Sequence, residues 1–226
     1  MAEHKGPRII AFTGPKTSGK DTMASILFRQ NWNHARKYVP IFKRTPFASG
    51  VKSICSSTFG WSMAEQDDPV FKETVLESWP NIMPRWALMD IANFMRDKYG
   101  PDVWVHALNR HIESLEKNDP HGAYVITDLR FPNEIAWLKN MGALIIYVHR
   151  TEAEEALAEA QERGDEAALN PSEMHYPLMR ESADLVLSND AEIHKGQAQV
   201  MNMIRQRFDH WTYWGMGAFK REGEEK

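Results

Sequence analysis

A single cysteine, Cys55, in 226 residues excludes an internal disulfide and fits a reducing compartment. No His/Asp signature surrounds it, so Cys55 reads as a small packed hydrophobe rather than a nucleophile. No apolar run approaches the ~18 residues that a membrane span needs. The first residues, Met-Ala-Glu-His-Lys-Gly-Pro, carry no apolar signal-peptide region. A cytoplasmic protein without a membrane partner is therefore expected. Excess positive charge is missing too. The formal net charge is −4, which argues against a nucleic-acid polyanion as partner. Internal repeats and low-complexity linkers are absent. The histidines form no metal pattern: His106 and His111 are five apart on a helical stretch, the wrong spacing for one face. His175 reads as a surface residue.

What is present is ordinary globular material, 42% hydrophobic and 26% charged, enough core for one α/β domain with an insertion. Arg8-Ile-Ile-Ala-Phe-Thr13 is an apolar, β-branched run that fits a buried strand. Val39–Arg44 reads as a short second strand. Helices are expected over Ala48–Phe59, with Val51, Ile54 and Cys55 on one face, over Arg85–Lys98, and over Asp102–Glu116, with Val105, Leu108, Ile112 and Leu115 aligned. Residues 60–83 look irregular. Region 48–117 is thus a helical insertion between strands. The βαβ pattern resumes with Tyr124–Thr127, a helix capped by Asn133 and closed at Gly142, and the strand Ala143–Val148, apolar throughout as in a sheet covered on both faces. Residues 151–170 are Ala/Glu-rich and polar on most faces, which suits an exposed helix or a flap. Asp184–Ser188 is a last strand and Ala191–Phe208 a closing helix. An aromatic tail follows, with Trp211, Tyr213, Trp214 and Phe219. Trp79, Trp86 and Trp104 lie in the insertion. Core packing is their simplest role, with stacking on a nucleobase the alternative for one of them or for Phe94.

The most informative stretch is Gly14-Pro-Lys-Thr-Ser-Gly-Lys-Asp-Thr22. It spells G-x-x-x-x-G-K and then Asp-Thr, where a phosphate-binding loop commonly has one Ser or Thr. It lies between the first strand and a helix-spaced run of Met23, Ile26, Leu27 and Gln30. Glycines at 14 and 19 let backbone N–H groups of Lys16, Thr17 and Ser18 turn around phosphate oxygens. The helix N-terminus adds partial positive charge, and Lys20 reaches the outer phosphates. The second informative stretch is Asp128-Leu-Arg130-Phe-Pro-Asn-Glu134. Asp128 follows a buried strand at its carboxyl end, where ligands gather in open α/β sheets, and is a candidate metal ligand or base. A turn or capping role is the plain alternative. Arg130 can set a guanidinium beside a second phosphate, since phosphoryl transfer between two anions needs several cations. Arg85, Arg96, Arg150 and Arg163 add to that supply, whereas Arg44 reads as a surface residue.

These residues resemble those of the phage-type deoxynucleoside monophosphate kinases, a branch of the P-loop nucleoside monophosphate kinases. The loop with Gly-Lys-Asp-Thr is similar, and Asp128-Leu-Arg-Phe-Pro-Asn-Glu134 is the more specific match. Pro84-Arg85, Arg96, Asp102-Val-Trp104-Val, Pro171-Ser-Glu173 and Asp184–Asn189 extend the likeness over roughly residues 8–190. The resemblance implies a three-layer α/β kinase with a parallel sheet of about five strands. It implies a core of 8–47 and 118–208, a monophosphate-binding insertion over 48–117, a lid near 151–170 and a tail over 209–226. It implies ATP and Mg²⁺ at the loop, with Asp21, Thr22 and Asp128 as the metal-linked residues, Arg150 closing over the nucleotide, and Arg85, Arg96 and Arg130 holding the acceptor. A deoxynucleoside monophosphate is the implied partner, and homodimerisation stays open. Where the family's helix after Arg85 usually carries a Gln and a Gly-Thr, this chain has Met89-Asp-Ile-Ala-Asn93, which leaves base specificity open. Two rivals remain. One is a P-loop kinase for phosphomevalonate or dephospho-coenzyme A; the other is a nucleotide-binding switch or packaging ATPase working through a protein partner.

The Asp at position 21 makes a specific demand. If it is the metal-linked residue, Asp21→Asn should raise the Mg²⁺ concentration needed for half-maximal rate and Thr22→Ala should do so less. Magnesium titrations of both variants decide between them; a shift in Thr22→Ala alone hands the role to Thr22.

Overall fold

The computed structural model describes residues 8–27, 42–119, 122–166, 168–190 and 193–207. Five strands form its sheet: β1 (Arg8–Thr13), β2 (Phe42–Arg44), β3 (Ala123–Ile126), β4 (Leu144–His149) and β5 (Leu185–Ser188). Their order is β2-β3-β1-β4-β5, and every neighbouring pair is parallel. Parallel strands need crossovers that cover both faces, so β1, β3 and β4 must be apolar on both sides. They are. Ile10 and Phe12 join Val125, Ile146 and Val148 in one cluster with Met23 and Val200. Alternate residues Ile9 and Ala11 join Tyr124, Ile126 and Ile145 in another, with Leu108, Ile112, Leu138 and Met179. The period of two along β1 thus serves two different helical layers, giving the three-layer α/β architecture that the sequence led us to expect.

The helices on the first face are α1 (Lys20–Ala24), which runs into a 3₁₀ turn at Ser25–Leu27, and the closing helix, counted last below. The insertion comprises α2 (Ser49–Phe59), α3 (Pro69–Glu73), α4 (Pro84–Tyr99) and α5 (Val103–Glu116). Beyond β3 come α6 (Pro132–Asn140), α7 (Thr151–Glu162), α8 (Pro171–Met174), α9 (Tyr176–Ser182) and finally α10 (Ile193–Arg207).

The insertion has a core of its own, made by Val51, Cys55, Trp61, Ala87 and Trp104. Cys55 is fully buried there, as a small hydrophobe would be. Trp104, 3% exposed, donates its indole N–H to Ala92 O at 3.1 Å and packs on Gly50, where a Cβ would come within 2.9 Å of the ring. Gly50 therefore lets α2 and α5 approach closely, and the tryptophan closes that gap.

Two expectations are corrected. Residues 60–83 are not simply irregular: they hold a 3₁₀ turn at Glu65–Asp67 and helix α3. Asp68 accepts hydrogen bonds from Val70 N (2.6 Å) and Phe71 N (3.0 Å), and Pro69 opens the helix, so Asp-Pro is a helix start in this chain. Asn133 does not cap α6. It lies inside the first turn and donates to Pro101 O and Asp102 Oδ1, tying α6 to the start of α5. Phe131 occupies the cap position instead, and Glu134 receives its N–H. Helix α7 is exposed on most faces, as its Ala/Glu-rich sequence led us to expect. Ala153 is buried and Leu157 packs against the second cluster. Gly142, at φ 68°, does close the turn after α6. Val39–Ile41 and the aromatic tail lie outside the described residues.

Trp104→Ala should lower unfolding stability by roughly 3–5 kcal/mol, the usual cost of emptying a large aromatic site. Chemical denaturation checks this; a loss within the error of the measurement would mean that the insertion does not depend on the ring.

Candidate functional site

The loop after β1 is held by steric demands on two glycines. At Gly14 (φ 140°) a Cβ would fall 2.5 Å from Val148 O, and at Gly19 (φ 87°) another would fall 2.3 Å from Asn189 Nδ2. Asn189, just past β5, donates to Ser18 O at 2.8 Å and so clamps the loop from the far side of the sheet. Lys20 opens α1 and is 8% exposed; its ammonium has only Pro15 O near, at 3.4 Å. Burial lowers the Lys20 pKa, and Arg130 lowers it further against the opposing carboxylates Asp21, Glu173 and Asp128. The Ser18 hydroxyl is buried with no hydrogen-bond partner among the described residues.

The loop forms one wall of a cleft of about 890 Å³. Of the residues singled out from sequence, Lys16, Thr17, Lys20, Asp21, Arg85, Arg96, Asp128 and Arg130 line it. Gly14, Ser18, Gly19 and Thr22 are not on its wall. Arg150 is not on the cleft wall but donates to Thr17 O at 3.4 Å, so it touches the loop from outside. Arg163 is a surface residue that pairs with Asp165 at 3.1 Å. Arg44 is the opposite case. It lines the cleft, 3.5 Å from Asp21 and 3.5 Å from Asp67, which corrects its reading as a surface residue. His175 is half-buried with its ring 5.8 Å from that of Phe131. Among the aromatic candidates, Trp86 and Trp104 reach the cleft, while Phe94 and Trp79 are exposed elsewhere.

Cations in the cleft rest on carboxylates. Glu73 of α3 accepts from Arg85 Nε at 2.6 Å and stands 3.7 Å from Lys16, bridging the insertion to the loop. Asp67 pairs with Lys52 as well as with Arg44. Arg130 pairs with Glu173 and donates to Ser172 Oγ at 3.4 Å. Burial alone would lower the Arg130 pKa, but Tyr176, Glu173 and Asp128 outweigh it and hold the guanidinium charged. Arg44, Asp67 and Glu73 are about half-exposed, so these ion pairs contribute little to stability and exchange readily for a ligand's phosphates. The sequence reading missed Glu73, Asp67 and Lys52, and it had Asn189 only as the end of the Asp184–Asn189 match, without its role. Their positions depend on contacts across the cleft that no local pattern encodes. Glu173 was visible as part of the Pro-Ser-Glu match, without its role.

Asp128 lies two residues past β3. Its Oδ1 accepts from Phe47 N at 3.0 Å and its Oδ2 from Ala48 N at 2.9 Å, so the carboxylate ties the strand end to the start of α2. This is the turn role set out above as the alternative, and each oxygen keeps a free lone pair. Asp21, in contrast, leads off α1 with its carboxylate largely exposed beside the loop. Among the described residues no three His, Cys, Asp or Glu form a metal cage. Mg²⁺ held by nucleotide phosphates needs only one or two carboxylates, and Asp21 and Asp128, which both line the cleft, are donors of that kind.

Glu134, 2% exposed, completes the site floor. Its Oε2 accepts from Arg130 N (2.9 Å) and Phe131 N (3.0 Å), and its Oε1 stands 3.8 Å from Arg96 Nη2. Burial raises its pKa to about 7, against the pull of the two N–H groups and Arg96. The folded protein therefore holds this proton more tightly than the unfolded chain, whose carboxyl titrates at about 4.5. Stability from this group is present at low pH and falls as pH rises from about 4.5 to about 7. Urea midpoints across that range should decline more steeply for the wild type than for Glu134→Gln; parallel curves would show that the carboxyl keeps its ordinary value.

No family model matches the chain. It is 26% identical over 209 residues to a protein of Acanthamoeba polyphaga mimivirus named, provisionally, as a deoxynucleotide monophosphate kinase; the match covers 87% of this chain and 95% of that protein. Among solved structures it is similar to TT1252 of Thermus thermophilus (20% identity, TM-score 0.49, covering 89% of this chain and 98% of that one). It is also similar to dephospho-CoA kinase of Campylobacter jejuni (15% identity, TM-score 0.47, covering 89% and 97%). The architecture described above is read from this chain's own strand order and connections.

Proposed function

We propose that this protein is a phosphate-loop kinase that transfers the terminal phosphoryl group of ATP to a deoxynucleoside monophosphate, giving the diphosphate and ADP. One observation carries the reading: one cleft is lined by Lys16 and Lys20 of the phosphate loop, by Arg130 from the strap after β3 and by Arg85 and Arg96 of the insertion. Two anions must meet for this reaction, and these cations offset their repulsion. The name of the viral relative supports the same acceptor.

In this reading the loop N–H groups and Lys20 hold the donor's phosphates, with Arg150 steadying the loop at Thr17. Arg85 and Arg96 hold the acceptor monophosphate. Arg130 joins them at the acceptor phosphate and also offsets charge on the group in flight. An acceptor phosphate oxygen attacks the terminal phosphorus, the bridging oxygen leaves with ADP, and the protein forms no covalent intermediate. Mg²⁺, when bound, neutralises charge on the phosphates; Asp21 and Asp128 are the residues that would hold it. The chain's own contribution is positioning and exclusion of water. Helix α7 and the segment to Asn170, which close one side of the cleft through Ala153, Leu157, Ala160 and Ala168, take the part of the lid.

A kinase for dephospho-coenzyme A or phosphomevalonate would use a similar donor wall. ADP release measured over a panel of deoxynucleoside and ribonucleoside monophosphates, with those two acceptors included, separates the readings. Acceptor-independent ATP hydrolysis would favour the switch ATPase instead.

Lys20→Ala should reduce turnover on the order of 10²–10³-fold, the scale of losing one preorganised charge on the transferred group. Arg130→Ala, Arg85→Ala and Arg96→Ala should weaken the acceptor more than ATP. Steady-state kinetics with both substrates varied is the check, and a Lys20 variant keeping half its rate would remove the loop from catalysis.

A further inference from the structure

Glu134 is at the floor of the cleft and only 2% exposed. It nevertheless touches both halves of the proposed acceptor site. Its Oε2 anchors the backbone of Arg130 and Phe131, at 2.9 and 3.0 Å. Its Oε1 faces the Arg96 guanidinium at 3.8 Å. That guanidinium also lies over the Phe131 ring, 4.1 Å from its centroid. Arg96 comes from α4 of the insertion and Arg130 from the strap after β3, so nothing along the chain relates the two. One buried carboxylate does.

We propose that Glu134 is the positioning residue for the acceptor phosphate, setting the Arg96 guanidinium and the Arg130 backbone in one frame so that both arginines meet the same anion. The inference rests on the acceptor reading given above.

The geometry has a physical logic. An arginine on a helix has a long, flexible side chain, and ordering it on binding costs conformational entropy. Arg96 is held beforehand from two sides, by a ring face and by a carboxylate. Its charge is already largely desolvated, and burial lowers its pKa despite Glu134 and Asp128. A phosphate then meets a preset donor. Because Oε2 is taken up by two backbone N–H groups, the carboxylate cannot swing away to follow Arg96 or to compete as a ligand in the cleft. The link between the arginines is therefore rigid.

Glu134→Gln separates the two functions. Its amide oxygen can still accept the Arg130 and Phe131 N–H groups, but the charge facing Arg96 is gone. The assay is run at about pH 8, above the value of about 7 to which burial raises this carboxyl. The variant should raise KM for the monophosphate about tenfold and leave KM for ATP within about twofold, a split that a general loss of fold would not produce. In an Arg96→Ala background the same substitution should add nothing further. Phe131→Leu, which removes the ring and keeps Glu134, should also raise the acceptor KM, and it serves where Glu134→Gln does not fold. An unchanged acceptor KM, or an equal rise for ATP, or an undiminished effect in the Arg96→Ala background, overturns the inference. If the wild type releases no ADP with any deoxynucleoside monophosphate, the function reading falls. Inorganic phosphate binding by wild type and Glu134→Gln then tests the positioning alone, and equal affinities would end it.

Discussion

Lys20 and Arg130 are buried close together, and much of the surrounding structure answers to that. Arg130 lowers the proton affinity of Lys20, and burial penalises the charged form of both. The protein keeps Arg130 charged by placing Glu173, Tyr176 and Asp128 around it. Among the described residues Lys20 has no such close partner; carboxylates at longer range balance it, and the Pro15 carbonyl is 3.4 Å away. A pair of desolvated cations facing one cleft is costly in an empty protein and favourable once phosphates arrive. The carboxylates Glu73, Asp67 and Glu173 hold the same cationic wall in the meantime.

The parallel sheet makes this concentration of charge possible. In a parallel sheet every strand ends at the same edge, so loops far apart in sequence share one rim. The phosphate loop leaves β1, Asp128 and Arg130 leave β3, Arg150 leaves β4 and Asn189 leaves β5. Backbone contacts fix how closely they approach. Asn189 holds the loop at Ser18, and Asp128 holds the start of α2 at Phe47 and Ala48. Both side chains do structural work at the rim while lying beside the cleft, so capping and function need not exclude each other at Asp128.

The insertion supplies the other wall on a core of its own. Trp104 packs into α2 at Gly50 and orients α4, which carries Arg85 and Arg96. Asn133 joins α6 to the start of α5, and Glu134 joins the same strap to α4. The residues between Asp128 and Glu134 thus act as a joint between sheet and insertion.

Local chemistry determined what the sequence could show by itself. The apolar run before Gly14, the spacing of Gly14, Gly19 and Lys20, and the unbroken hydrophobicity of Leu144–Val148 each express a short-range rule: glycine at positive φ, a cation at a helix start, a strand buried on both faces. The loop and the sheet were legible for that reason; Arg85 and Arg96 were singled out only through the resemblance. Helix starts were less so, because Asp68-Pro69 and Pro132 in Phe131–Glu134 use caps that sequence spacing assigns ambiguously. Only tertiary structure decided that Arg44 faces the cleft, that α7 buries Ala153, that Asp21 rather than Thr22 lines the cleft, and that Glu134 lies between two arginines. These depend on which surfaces meet when the insertion folds back over the sheet, and pairing at a distance leaves no period or spacing along the chain.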